Sequence, residues 1–250
     1  MTESKLGVVR LRPGVRSRAL DGHPWILAHE VDKNPGTERS GHAVVGRGPR
    51  GELLGTGFYR AGARVTWRRF RHDLGDFDKA YVREALRTAL ARREASPARR
   101  LIWSEADGFP GLVLDQYGRY LVAQIITEGM EKHWDLVLDQ VQETLRPAGI
   151  WVRRDAPGRK QEGLDNLPGQ AIGEVPEEAV WVEIAGLEVP VDLRGGQKTG
   201  TYLDQQENHQ IVATYAKGRK VLDLFCHNGG FSLRAARAGA LEVVGVDSSE

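Results

Sequence analysis

The chain of 250 residues has a single cysteine, Cys226. One thiol can neither close a disulfide nor build a thiolate metal cage within the chain, so a disulfide framework is excluded and a reducing, cytosolic setting is expected. No run approaches the roughly 18 consecutive apolar residues of a membrane helix, and the opening MTESKLGVVRLRPG lacks the apolar stretch of a secretory signal. The expectation is a cytoplasmic protein without a membrane partner. Its 7 histidines are scattered, with neither H-x-x-x-H nor H-x-x-E-H spacing, so no metal site is expected. Internal repeats and low-complexity tracts are absent.

What is present is ordinary in bulk and uneven in distribution. With 40% hydrophobic and 28% charged residues the chain reads as globular, and its length allows one to two domains by the usual prior. The formal net charge of +1 hides a division: residues 1–72 carry 14 Lys/Arg against 6 Asp/Glu, the remainder 21 against 28. The basic end is the candidate face for a polyanion. It is built of short strand-like pieces (VVRLR, HAVVGRG, ELLGTGFYR, RVTWRRF) between Gly and Pro clusters, the pattern of a small β-barrel or sandwich over 1–72, of which the barrel is expected. Arginines alternate with aromatics there: Arg12, Arg16, Arg18, Arg60, Arg64, Arg68 and Arg69 beside His23, Trp25 and Trp67. Any one of them fits a solvated strand face, with Trp25 and Trp67 in the core. Gathered on one small domain, they repel unless phosphates neutralise them.

The middle of the chain, 73–195, reads as an α+β domain. Helical spacing of Phe77, Tyr81, Ala85 and Ala89 predicts a helix from Asp76, its cap, to about Ala95. Ser104 to Gly118 is turn, strand, turn; Tyr120 to Thr127 is a strand. Glu131 to about Leu145 is an amphipathic helix with Trp134, Val141 and Leu145 on one face, and Gly149 to Arg153 is a further strand. Residues 154–180 are rich in Gly, Pro and charge and read as a long loop, and Trp181 to Leu193 as a hairpin about Ala185-Gly186.

The last stretch, 196–250, holds the most specific pattern. Val221, Leu222, Leu224 and Phe225 form a nearly continuous apolar run, expected for a parallel strand buried on both faces. Asn228-Gly229-Gly230 follows as a turn that admits positive φ and close approach of a ligand. A helix from about Phe231 to Ala238, stopped by Gly239, leads to a second β-branched run, Val243, Val244 and Val246, ending in Asp247. Strand, glycine turn, helix, strand and acid make the start of a Rossmann-like domain that binds a nucleoside-bearing cofactor at the strands' carboxyl ends. The turn DLFCHNGGF lacks the G-x-G-x-x-G of a dinucleotide site and resembles motif I of S-adenosylmethionine (AdoMet) methyltransferases. Upstream, GQKTG has the composition of a phosphate loop without its G-x-x-x-x-G-K-[ST] spacing.

GQKTGTYLDQQENH ahead of VLDLFCHNGGFSL is similar to the large-subunit ribosomal RNA methyltransferase I family. HPWI at His23–Ile26, EADGFPGLVLDQYG, RKQEG at Arg159–Gly163 and GEVPE at Gly173–Glu177 extend the resemblance over nearly the whole chain. It implies a PUA domain, a central α+β domain and a Rossmann-like domain that uses AdoMet to methylate a cytosine C5 in 23S ribosomal RNA. Carried over, Asp223, Asn228, Gly229 and Gly230 form the AdoMet loop, lined by Phe225 and Cys226, and Asp247 holds the ribose. Lys198, Thr199, Tyr202, Asp204 and Gln205 border the methionine end or the target base. The implied partners are 23S ribosomal RNA or its precursor, with a homodimer left open. In this family the nucleophilic cysteine and the base follow the second Rossmann strand, so the catalytic residues are expected beyond Glu250 and Cys226 is not expected among them. Two alternatives stay open: a non-catalytic RNA-binding protein, and a methyltransferase for another RNA or base.

Overall fold

The computed structural model describes residues 6–32 and 39–248; the outermost residues of the expected first and last domains, and 33–38, lie outside it. The chain forms two compact units, Met1–Ala95 with Arg100–Val175, and Ser96–Arg99 with Pro176–Glu250. The sequence pattern instead divides it at 72/73 and 195/196. The difference has physical causes: an aromatic core runs through the first boundary, and the hairpin expected to end the middle domain packs with the residues after it.

In the first unit, β1 (Gly7–Arg10), β2 (Trp25–Leu27), β3 (Ala43–Arg47), β4 (Leu53–Tyr59) and β5 (Val65–Arg71) form one sheet in the order β1-β3-β4-β5-β2. β1 pairs with β3 in parallel, and the other ladders are antiparallel. The two edges meet through a bridge between Leu11 and Val31, with Arg12 N donating to Glu30 O and Asp32 N to Arg10 O, each at 2.9 Å. Joining the edges removes unpaired backbone from solvent and curls the sheet into the expected barrel. Trp67 fills its centre, fully buried, with its indole N–H donating to Val44 O at 2.9 Å. Trp25 is only half-buried, so it is not the core residue that its apolarity suggested.

The second sheet follows the order β10-β9-β8-β7-β6 from β6 (Ala98–Trp103), β7 (Leu112–Tyr117), β8 (Tyr120–Ile125), β9 (Gly149–Arg154) and β10 (Leu167–Gly173). Two helices belong with it, α1 (Lys79–Ala91) and α2 (Glu128–Leu145). α1 starts later than its pattern implied: the carboxylate of Asp78, not Asp76, accepts from Tyr81 N at 2.9 Å. α2 starts earlier, capped by the Thr127 hydroxyl, because Glu128 and Gly129 are already helical. The expected loop 154–180 contains a short helix, α3 (Gly158–Gln161), and β10, an edge strand whose register shifts between Leu167 and Gln170, around Pro168 and Gly169. Phe58 and Phe70 from the barrel share one core with Phe77, Phe109, Met130 and Trp134. The rings of Phe58 and Phe70, and of Phe58 and Phe77, lie 5.0 Å apart.

The second unit has two small sheets. β11 (Val180–Ile184) and β12 (Leu187–Val191) make the expected hairpin, with Ala185 and Gly186 both at positive φ, 49° and 81°, as a two-residue turn between right-twisted strands requires. β13 (Lys220–Leu224) and β14 (Glu242–Val246) pair in parallel, with α4 (Gln206–Thr214) before them and α5 (Gly230–Arg237) between. Gly239 ends the α5 segment at φ 92°. Burial corrects one expectation: Leu222 and Leu224 are 63% and 56% exposed, so β13 is not covered on both faces among the described residues.

Candidate cofactor site and basic face

Both parallel strands point their carboxyl ends at one loop. From Phe225 to Gly229 alternate residues take left-handed backbone: Phe225 at φ 60°, His227 at 49° and Gly229 at 72°. Phenylalanine and histidine rarely adopt this region, and such conformations persist where the surroundings impose them. Two carboxylates hold the loop. Asp223 Oδ2, at the end of β13, accepts from the backbone N–H and the hydroxyl of Ser232 at 3.0 and 2.6 Å, satisfying the open first turn of α5. Asp247 Oδ2, just past β14, accepts from His227 N at 2.8 Å.

The loop walls a cavity of about 480 Å³ together with β11, β12 and the segment before β13. Of the residues singled out from sequence, Tyr202, Gln205, Phe225, Cys226, Asn228, Gly230 and Asp247 line it. Asp223, Gly229, Lys198, Thr199 and Asp204 do not. Asp223 acts through α5, and Gly229 supplies positive φ at its N-cap. Lys198 folds back, its ammonium 3.4 Å from Asp204 and 4.2 Å from the centre of the Tyr202 ring, while Thr199 is buried. At Gly230 a Cβ would meet the His209 ring at 2.4 Å. The smallness of this glycine accommodates the His209 ring of α4 at the cavity wall.

Two further wall residues, His209 and Arg234, are not singled out from sequence, although His209 closes the GQKTGTYLDQQENH block. His209 packs edge-on against Phe231 at 4.3 Å, with its pKa lowered by burial and by the Arg234 guanidinium. Arg234 is buried in α5 and donates to the carbonyls of Ile184 and, at 3.3 Å, Gly230; its Nε has no partner among the described residues. Helical spacing could have marked Arg234 only as the polar side of α5, because its acceptor Ile184 is 50 residues away. Cys226 is half-buried, with Sγ 3.9 Å from His227 O, and a Cβ on Gly245 would lie 3.1 Å from that sulfur. It is packed against β14.

The basic face divides sharply. Arg12, Arg16, Arg18 and Arg64 are exposed. The other three turn inward, contrary to the sequence reading. Arg60 pairs with Glu128 at 2.8 Å, and Arg68 bridges Glu105 and Glu162 at 2.8 and 2.9 Å. Arg69 donates to Leu54 O and Gly22 O at 3.2 and 2.6 Å, and burial lowers its pKa. Their acceptors come from remote segments, so charge alone could not separate them from the surface set.

A curled β-domain followed by a strand–loop–helix–strand cofactor site is the arrangement of a PUA-containing AdoMet-dependent methyltransferase. Residues 9–72 match the PUA-like domain family model, and residues 163–250 match that of S-adenosylmethionine-dependent methyltransferases. Over the region it spans, the chain is similar to proteins named ribosomal RNA large subunit methyltransferase I. It is 37% identical to the protein of that name from Tolumonas auensis over 239 residues, 92% of this chain and 60% of the relative. With the protein of the same name from Photobacterium profundum the identity is 34% over 236 residues, 91% of this chain and 59% of the relative. The chain thus spans about three fifths of the length of these curated relatives. A solved chain from Streptococcus mutans, described as a SAM-dependent methyltransferase, has the same fold, with a TM-score of 0.79 at 18% identity over 98% of this chain and 64% of that one.

Proposed function

We propose that this chain is the RNA-binding and cofactor-binding part of an AdoMet-dependent methyltransferase that modifies C5 of a cytosine in 23S ribosomal RNA, in the cytoplasm. The observation that carries the reading is the convergence of Asp247, Asn228 and the left-handed loop on one cavity at the carboxyl ends of two parallel strands. A carboxylate at the tip of the second strand accepts from ribose hydroxyls, and its hydrogen bond from His227 N fixes its rotamer for that task. Tyr202 and Gln205 bring a hydroxyl and an amide to the same cavity, suited to the polar methionine end. AdoMet supplies an electrophilic methyl group; the chain's part is to orient it and to exclude water.

Cytosine C5 is a weak nucleophile, and addition of a thiolate at C6 turns it into an enamine carbon that can attack a methyl group. Cys226 is unsuited to that addition. Its sulfur packs against Gly245 in the loop that holds the cofactor, where a nucleophile would compete with AdoMet instead of facing the base. The nucleophile therefore belongs to another segment of the enzyme. The test is mass spectrometry of ribosomal RNA nucleosides from cells with and without the gene. Loss of one 5-methylcytidine from 23S RNA is expected, and an unchanged nucleoside profile would refute the reading.

A further inference from the structure

The barrel carries a cavity of its own, about 340 Å³, in the first unit. Its apolar wall is Trp25, Leu27 and Val65, and its mouth has Arg18 and Arg64. Both arginines are exposed, and neither has a side-chain hydrogen bond or ion pair among the described residues. Trp25 is held rigidly: its indole N–H donates to Glu105 at 2.6 Å, the Arg68 guanidinium lies 4.8 Å from the ring centre, and His23 packs edge-on at 5.3 Å. Arg68 is fixed in turn by Glu105 and Glu162, yet its Nε is buried with no partner among the described residues. Glu30 and Gln161 add acceptor and amide groups to the wall.

A preordered aromatic ring, hydrogen-bonding groups of both kinds and free cations at the rim match one ligand chemistry. A nucleotide has a flat π-face, an edge of mixed donors and acceptors, and a phosphate. Single-stranded bases stack on aromatic side chains while cations follow the backbone. The volume lies at the low end of small-molecule pockets, about 300–1,000 Å³, which suits one base and not several. We propose that this cavity receives one unpaired nucleotide of the RNA substrate, its base against Trp25 and its phosphate on Arg18 and Arg64. The proposal rests on the RNA-binding reading above and adds to it a requirement for an unpaired base.

The test measures binding of the intact protein to a mixed-sequence single-stranded RNA oligonucleotide, to the same oligonucleotide with abasic sites, and to AMP and UMP. The base-bearing RNA should bind about ten- to a hundredfold more tightly than the abasic one. Gln161→Trp, which fills the cavity and leaves the rim charges, should erase that preference with an unchanged salt slope. Arg18→Ala with Arg64→Ala should weaken both RNAs and flatten the salt slope by about 1 to 2. Equal binding of intact and abasic RNA by the parent protein would overturn the inference while leaving RNA binding in place. Mononucleotides binding as tightly as the oligonucleotide would make this a free-nucleotide site, and no binding of any RNA would overturn both readings.

Discussion

Asp223 and Ser232 are joined twice, one carboxylate oxygen accepting from the backbone N–H at 3.0 Å and from the hydroxyl at 2.6 Å. The pair ties the end of β13 to the first turn of α5 and so fixes the loop between them. Asp223→Ala should cost about 1 to 2 kcal/mol, the loss of a helix cap, and should weaken AdoMet binding through the loop. Ser232→Ala keeps the backbone bond and should cost less. Thermal melting and calorimetry with AdoMet check both, and a full-strength AdoMet site in Asp223→Ala would detach the loop from this pair.

Asp247 makes the direct contact proposed for the ribose. A charge-assisted hydrogen bond contributes about 1.5 to 3 kcal/mol, so Asp247→Asn or Asp247→Ala should lower AdoMet affinity roughly ten- to a hundredfold. Titration calorimetry on the intact enzyme would expose the assignment as wrong by returning the parent's affinity.

Arginine substitutions should separate by where their side chains go. Arg12→Ala with Arg16→Ala, both exposed, should leave the melting temperature unchanged and reduce the salt dependence of RNA binding. Arg69→Ala removes a buried cation that satisfies two carbonyls and should lower stability by about 1 to 3 kcal/mol. Paired melting and salt-titration curves decide the matter; a stable Arg69→Ala protein with a flattened salt slope would return that residue to the RNA face.

Gly129 lies inside α2, where alanine ordinarily stabilises a helix by about 1 kcal/mol. Here a Cβ would come within 2.3 Å of the Phe58 ring, too close for either side to absorb easily. Gly129→Ala should therefore destabilise, by about 1 to 3 kcal/mol. Chemical denaturation reads the sign directly, and a stabilised variant would contradict the close approach.

His133 stacks on Phe58 at 4.9 Å, with Nδ1 2.8 Å from Gly129 O, and burial lowers its pKa from the ordinary 6.5. In the acid range the unfolded chain then binds a proton that the folded chain resists. Its contribution is present above about pH 6.5 and is lost as pH falls toward the depressed folded value. His133→Gln should flatten the slope of melting temperature against pH over that window, whereas an equally steep slope would assign the dependence to other groups.

Local patterns are readable in the sequence where neighbours in the chain decide the conformation. The turn at Ala185-Gly186 is such a case, as are the stop at Gly239 and the parallel pair about the glycine loop. β10 is hidden because Pro168 and Gly169 interrupt the alternation that marks a strand, and the structure absorbs them in a register shift. The start of α2 is hidden by Gly129, whose low helix propensity is overridden by packing on Phe58. The inward arginines are the plainest failure. Arg68 finds its carboxylates 37 and 94 residues away, and no window of sequence contains that choice. At the cofactor site the loop and its acid are visible, but His209 and Arg234 owe their positions to tertiary packing.

The core shared by Phe58, Phe70, Phe77 and Trp134 makes the sequence boundary near residue 72 a change of architecture without a place to cut. A protein trimmed there would bare aromatic rings on both pieces, and each would be prone to precipitate. Limited proteolysis of the native protein should accordingly spare that junction, and the first fragment suited to study in isolation continues past β10.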